Sequence, residues 1–316
     1  MGKKIVVALG GNSIIRPGED PTVYSQFANT REALKPIAEL VRAGHDVVLT
    51  HGNGPQVGNI LIRSEKAAGE AYELPLGVCV AQSQGEMGYM IAQCMKNMLV
   101  RGGVSDREVV AVVTQVLVDP DDPAMSNPVK PVGPFFDEKR ARELEKHGVA
   151  VREDAGRGWR RVVPSPVPRS VVERHSIRNL IDHGYIVVAV GGGGCPVYYE
   201  ADGTLEGVDA VVDKDLASKV LALEIGAQVM IISTGVPHAC LWYGTERERP
   251  IERATASEFR KWLDEGHFAA GSMEPKIRAA VEFVENGGEE VIITLPELVE
   301  EAFHGRAGTH VLPDPS

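Results

Sequence analysis

Short, almost wholly apolar runs punctuate this chain, and longer amphipathic stretches fill the intervals between them. Runs rich in valine and isoleucine fall at residues 5–9, 46–50, 109–114, 186–190, 229–232 and 291–293. Each has the length of a strand and is apolar on both faces, which marks strands buried on both sides. Helical patterns lie between them, as at residues 27–42, where Leu34, Ile37, Leu40 and Val41 share one face and Gly44 supplies a stop. The Thr-Leu-Pro-Glu at 294–297 reads as a capping box with proline in the first turn, opening a final helix. This alternation predicts an α/β fold with a mostly parallel sheet and helices on both faces. No internal repeat is evident.

One stretch breaks the rhythm. Residues 117–168 are rich in proline, aspartate and arginine (DPDDPAMSNPVKPVGPFFDEK, then DAGRGWRRVVPSPVP), with a single helical pattern near 138–146. That is too long for an ordinary connection. It reads as a small flap subdomain inserted at a strand end, where long insertions serve a ligand, or else as a surface excursion.

Composition narrows the possible functions. At 316 residues the chain suits one large α/β unit or two lobes. Hydrophobic residues make up 43%, enough for a sizeable core, yet no apolar run approaches the ~20 residues that span a bilayer. The opening MGKKIVVALGG lacks a signal-peptide pattern. With 33 basic against 44 acidic residues the net charge is −11, which argues against nucleic acid, since backbone binding needs a basic face. A small anionic substrate needs only a few placed cations and stays compatible. Cys79, Cys94, Cys195 and Cys240 show no CxxC pair or zinc spacing, so a reduced, cytoplasmic setting is expected.

Three glycine clusters follow predicted strands: Gly10-Gly11-Asn12, His51–Gly58 and Gly191–Gly194. Ligands of open α/β sheets bind beyond the carboxyl ends of strands, and glycines there let backbone amides approach an anion. Two familiar nucleotide motifs fail. Gly52, Gly54 and Gly58 give GxGxxxG, one residue longer than the dinucleotide fingerprint, and the only Gly-Lys, Gly2-Lys3, is followed by Lys4 instead of Ser or Thr. No lysine accompanies the first loop, whose nearest strand position is Ala8. His51 reads as a hydrogen-bonded structural group ahead of a catalytic base, and Cys195 as a small filler ahead of a reactive thiol.

Together the motifs VALGGN, THGNGPQVG, NPVKPVGPFFDE, GRGWRRVVPSP, GGGGCPV, GVDAVVDKDLAS and GSMEPK resemble those of the carbamate kinases, in the family's order from Val7 to Lys276, and GTHVLP resembles the family's C-terminus. The resemblance implies the amino-acid-kinase fold, a three-layer αβα sandwich around a mostly parallel sheet with a protruding flap. Its lobes would be residues 1–206 on the carbamate side and 207–316 on the nucleotide side. It also implies reversible phosphoryl transfer between ATP and carbamate, giving ADP and carbamoyl phosphate, with Mg²⁺ held by the ATP phosphates and no protein metal ligands. The expected assembly is a homodimer, with no nucleic-acid or membrane partner. Carbamoyl phosphate is an energetic acyl phosphate, so ATP formation in arginine breakdown is the expected direction.

By the same resemblance Lys130, Lys214, Asp215 and Lys276 are catalytic. Two anions must be brought together, and a loose transition state asks mainly for positioning and neutralisation. A lone lysine reads as a solvated charge, but each of these sits in a Gly- or Pro-constrained motif. Gly10, Gly11, Asn12, Gly52, Asn53, Gly191, Gly192 and Gly193 would hold carbamate, while Thr234 and Tyr243 would join Lys276 around the nucleotide. In relatives acting on amino-acid carboxylates a lysine commonly stands at the position of Ala8; here the flap lysine, Lys130, would replace it.

Two positions depart from the family pattern: Glu274, where many members have glycine, and Gly235, where many have an acid. A carboxylate at 274 would repel ATP or alter Mg²⁺ coordination unless it points outward. Two other readings stand beside the first: a kinase of another small carboxylate, and a non-catalytic ligand-binding relative. The flap motifs disfavour the former, and retention of all four charged residues disfavours the latter.

Overall fold

The computed structural model describes every residue except Met1, Pro17, Pro21, residues 154–157 and Ser316, and leaves the side chains of Asn12 and Pro134 undescribed. The main sheet contains β1 (Lys4–Leu9), β2 (Asp46–His51), β3 (Val109–Ala111), β4 (Ile186–Val188), β5 (Val229–Ser233), β6 (Arg253–Thr255), β7 (Glu290–Thr294) and β8 (Thr309–Leu312). Their spatial order is β6-β8-β7-β5-β1-β2-β4-β3. Every neighbouring pair is parallel except β7 with β8. The helices are α1 (Val23–Arg42), α2 (Gly54–Lys66), α3 (Leu76–Arg101), α4 (Glu138–Lys146), α5 (Arg174–Asp182), α6 (Lys214–Ile225), α7 (Ala256–Asp264), α8 (Met273–Glu285) and α9 (Val299–Phe303).

The two-residue period of the strands divides the core. Ile5, Val7 and Leu9 of β1 pack with Leu34 and Ile37 of α1 and with Ile91 and Met95 of α3. Val6, turned the other way, joins Val48, Met230 and Ile232 under α5, α6 and α8. The result is helix, sheet, helix: the expected αβα sandwich. Full burial of one such Val, Ile or Leu side chain contributes roughly 1.5–3 kcal/mol, and both faces of the central strands collect it.

All six sequence-predicted strands are present, and two of them end early for local reasons. β3 stops at Ala111 because Gln84 clamps Thr114, its Oε1 accepting from Thr114 N at 2.8 Å and its Nε2 donating to Thr114 O at 3.1 Å. β4 stops at Val188 because Val190, Gly192, Gly193 and Gly194 all take positive φ. The strands β6 and β8 escape the hydrophobic pattern, being short and partly polar.

The expected capping box at 294–297 does not form. Thr294 is the last residue of β7, paired with Ser233, and its hydroxyl is buried without a hydrogen-bond partner. Leu295 caps instead, a 3₁₀ turn (Pro296–Leu298) follows, and only then does α9 begin. The capping box among the described residues of this half belongs to α7, where Thr255 and Glu258 satisfy each other's backbone N–H.

Within residues 117–168 the chain forms an antiparallel sheet of Lys130–Phe136, Trp159–Val163 and Val151–Glu153, with α4 capped by Asp137. The start of the second flap motif, residues 154–157, lies outside the described residues. The small sheet seats on α2, where Gly58 faces Gly133, and Arg161 pairs with Glu65. A Cβ on Gly58 would fall 2.1 Å from Gly133 Cα.

Alanine inside a helix is normally up to ~1 kcal/mol better than glycine. Gly58→Ala is expected to lower the urea midpoint, because its new methyl meets flap backbone. Gly85→Ala on α3, with open space around it, should instead add roughly 0.5–1 kcal/mol. Equal stabilisation by both substitutions in urea melts would contradict the seating of the flap on α2.

Candidate active site

Parallel pairing brings the carboxyl ends of β1, β2, β4, β5 and β7 to one edge, and the loops that leave them meet there. Gly10 follows β1 so closely along β5 that a Cβ would lie 2.7 Å from Ser233 O. Gly52 follows β2, and a Cβ there would touch Gly11 N at 3.5 Å and Lys214 Cδ at 3.8 Å. The helices α6 and α8 aim their N-termini at this edge, where unpaired N–H groups and the helix dipole favour anions.

Asp215, in the first turn of α6, organises the charges. Lys214 Nζ donates to its Oδ1 at 2.5 Å and Lys276 Nζ, from the first turn of α8, donates to its Oδ2 at 2.8 Å. The carboxylate side chain is only 3% exposed. Burial alone would protonate it, but the Lys214 and Lys276 ammonium groups outweigh that and hold its pKa well below the usual carboxylate range. Burial pulls the Lys214 pKa down, with Lys276 adding to the effect and Asp215 opposing it. Burial also weighs against the Lys276 ammonium, yet Asp215 and Asp213 raise its pKa above the ordinary value. The flap lysine arrives separately: Lys130 Nζ lies 2.5 Å from Asp213 Oδ2, beside the start of α6.

A cleft of about 510 Å³ opens onto this group. Gly10, Gly11, Lys214 and Lys276 line it, together with Thr234, Gly235 and Tyr243. Thus Gly10, Gly11, Lys214 and Lys276 share one cavity with Thr234 and Tyr243, while Lys130, Asp215 and Gly52 lie outside its lining. Asn53, Gly191, Gly192 and Gly193 do not line it. They are close-packed behind it: a Cβ on Gly191 would strike His51, one on Gly192 would strike Asn53, and one on Gly193 would strike Val212 O. Asn53 Nδ2 in turn donates to Ser83 Oγ at 2.8 Å. Asn12 lies in the 3₁₀ turn Gly11–Ser13, with its side chain outside the described residues.

His51 is 1% exposed and its Nδ1–H donates to Gly52 O at 3.1 Å. Burial, with a smaller push from Lys214, lowers its pKa to about 4, so the ring is neutral and structural. Cys195 receives a hydrogen bond from Gln84 Nε2 at 3.3 Å, and burial with the Glu173 charge pushes its thiol up to about 11. The raised pKa disfavours the thiolate, the reactive form, at neutral pH. Glu274 turns along its own helix to pair with Arg278, away from the lysines. Sequence reasoning passed over Asp213, although an aspartate immediately before a helix is a familiar cap signal.

The model of the amino acid kinase family matches residues 3–295. The carbamate kinase of Pyrococcus furiosus is 49% identical over 99% of this chain and all of that protein. A carbamate kinase-like protein of Escherichia coli is 44% identical over 99% of both chains' lengths. The carbamate kinase from Giardia lamblia solved with AMP-PNP superposes with a TM-score of 0.92 at 44% identity, covering 99% of each chain. Fold, motif order and full-length similarity agree: this chain belongs to the carbamate kinases of the amino acid kinase family.

Proposed function

We propose that this chain transfers a phosphoryl group between ATP and carbamate, yielding ADP and carbamoyl phosphate. The observation that carries the reading is the lysine pair that shares one buried carboxylate, Asp215, and lines a nucleotide-sized cleft. A carbamate oxygen forms a bond to the terminal phosphorus while the bond to the β-phosphate bridging oxygen breaks, and the departing electron pair stays on ADP. Carbamate is already an anion, so no general base is needed, which accords with a neutral, buried His51. Lys214 and Lys276 offset the charge on the moving group, and Asp215 keeps their ammonium groups aimed at it. Lys130 approaches from the flap.

The nucleotide is proposed to lie along Thr234 and Tyr243, and carbamate at the inner end by Gly10, Gly11 and Gly52, with Asn12, Asn53 and Gly191–Gly193 shaping the wall behind it. Magnesium would enter with the nucleotide and offset part of its phosphate charge. The protein carboxylates nearby, Asp213 and Asp215, already have their oxygens on lysines and backbone N–H groups. ATP synthesis from carbamoyl phosphate during arginine breakdown is the proposed direction, in the cytoplasm, where unpaired cysteines stay reduced. No helix among the described residues is long and apolar enough to cross a membrane.

Four outcomes test this reading. A coupled assay should show ATP formed from ADP and carbamoyl phosphate and little from acetyl phosphate; preference for acetyl phosphate would point to another carboxylate kinase, and no ATP from either to a binding protein. Lys214→Ala and Lys276→Ala should each lower kcat by about 10²–10³, roughly 3–4 kcal/mol. The parent rate should also fall on the alkaline side below the ordinary lysine pKa of 10.5, because Lys214 loses its proton early. A homodimer, proposed from kinship along the whole chain, should appear in light scattering as twice the mass of one chain.

A further inference from the structure

Asp213 divides its carboxylate between two tasks. Oδ1 accepts from the backbone N–H of Asp215 at 2.9 Å and of Leu216 at 3.3 Å, capping α6. Oδ2 accepts from Lys130 Nζ at 2.5 Å, across 83 residues of sequence. The capping bonds fix the plane of the carboxylate, so the direction in which Oδ2 points is set by the helix and not by solvent. The side chain is 13% exposed, against 29% for Lys130.

Lys130 has a long, flexible stem on a strand that is otherwise held by other means. Gly133 rests on Gly58, Arg161 pairs with Glu65, and Lys130 stands opposite Val163 in the flap sheet. None of these contacts fixes the ammonium group, and a free lysine head would lose considerable rotamer entropy on meeting substrate. A lysine has three N–H donors; one on Asp213 leaves two for an anion.

We propose that Asp213 is a positioning residue that seats the flap lysine against the start of α6, so that one side chain both adds to the docking of the flap and aligns Lys130 with Lys214 and Asp215. The inference rests on the reading of Lys130 as a group that meets the substrate. In geometric terms, the same helix turn carries Lys214 and Asp215 inward and holds Lys130 from outside. An empty site would keep the three cations separated on two carboxylates, Lys130 on Asp213 and the other pair on Asp215. Incoming phosphate would then meet cations already oriented.

The test uses Asp213→Asn, which keeps a good helix cap but replaces the oxygen facing Lys130 with an amide or an uncharged acceptor. Asp213→Ser, a cap too short to reach Lys130, serves as the second variant. Both should melt close to the parent, and trypsin should cut within residues 117–168 several-fold faster. KM for ADP should stay unchanged while kcat/KM for carbamoyl phosphate falls by about 10–100-fold, the scale of a displaced catalytic group. In a Lys130→Ala background the further change on adding Asp213→Asn should vanish. Unchanged flap cleavage, or an equal loss in both backgrounds, overturns the proposal. Full turnover by Lys130→Ala would instead refute the role given to Lys130, and flap cleavage in Asp213→Asn would still decide whether the anchor exists.

Discussion

Two ammonium groups held against one another repel by about 4 kcal/mol at 4 Å in a medium of effective dielectric 20. The site must nevertheless gather cations to neutralise two anionic reactants. Asp215 makes this possible by giving one oxygen to Lys214 and the other to Lys276 while remaining buried. Its place in the first turn of α6 suits it, since a negative charge there is favoured by the helix dipole. Lys214 and Lys276 sit at helix starts where a cation is disfavoured, so they depend on that carboxylate in the resting protein. A phosphate entering the cleft meets two positive helix ends as well as two lysines.

Strain gathers at the same edge of the sheet. Val190 is β-branched and adopts φ +52, a conformation that costs of order 1–3 kcal/mol and persists only where the surroundings impose it. Here the imposition is visible: Val190 N donates to Thr114 Oγ1 at 3.0 Å, and Thr114 is itself held by Gln84. The glycines that follow fill their space against His51, Asn53 and Val212. This part of the sheet edge is therefore backbone pressed on backbone and side chain, with no room for a side chain at Gly191, Gly192 or Gly193.

The apolar runs made six strands legible: β1, β2, β4, β5 and β7 because they are central, buried and carry little else, and β3 because its valines stand out even at the margin of the sheet. Helix α4 was legible to the residue, with Asp137 as its cap. The short strands β6 and β8 were hidden, since three or four mixed residues carry too little periodicity to stand out. Thr294 was misleading: its spacing to Glu297 matches a capping box, but its backbone is committed to β7. Family motifs singled out Lys130, Lys214, Asp215 and Lys276; the structure joins Lys214 and Lys276 through Asp215 and holds Lys130 on the neighbouring Asp213. The pairing of Lys130 with Asp213 could not be read from the chain, because nothing local links residues 83 positions apart. The glycines at 191–193 read as lending backbone amides to a ligand, and the structure adds that a side chain at any of the three would strike His51, Asn53 or Val212.

The margins of the main sheet are formed by β3 and β6, each three residues long. A sheet whose central strands are so uniformly apolar would be a hazard if those strands lay at an open edge. An extended peptide approaching either margin can gain only a few main-chain hydrogen bonds, too little to hold a foreign strand in register. Strand addition at the margins of the main sheet is therefore unfavourable while it stays folded, and its long apolar strands are shielded from other copies.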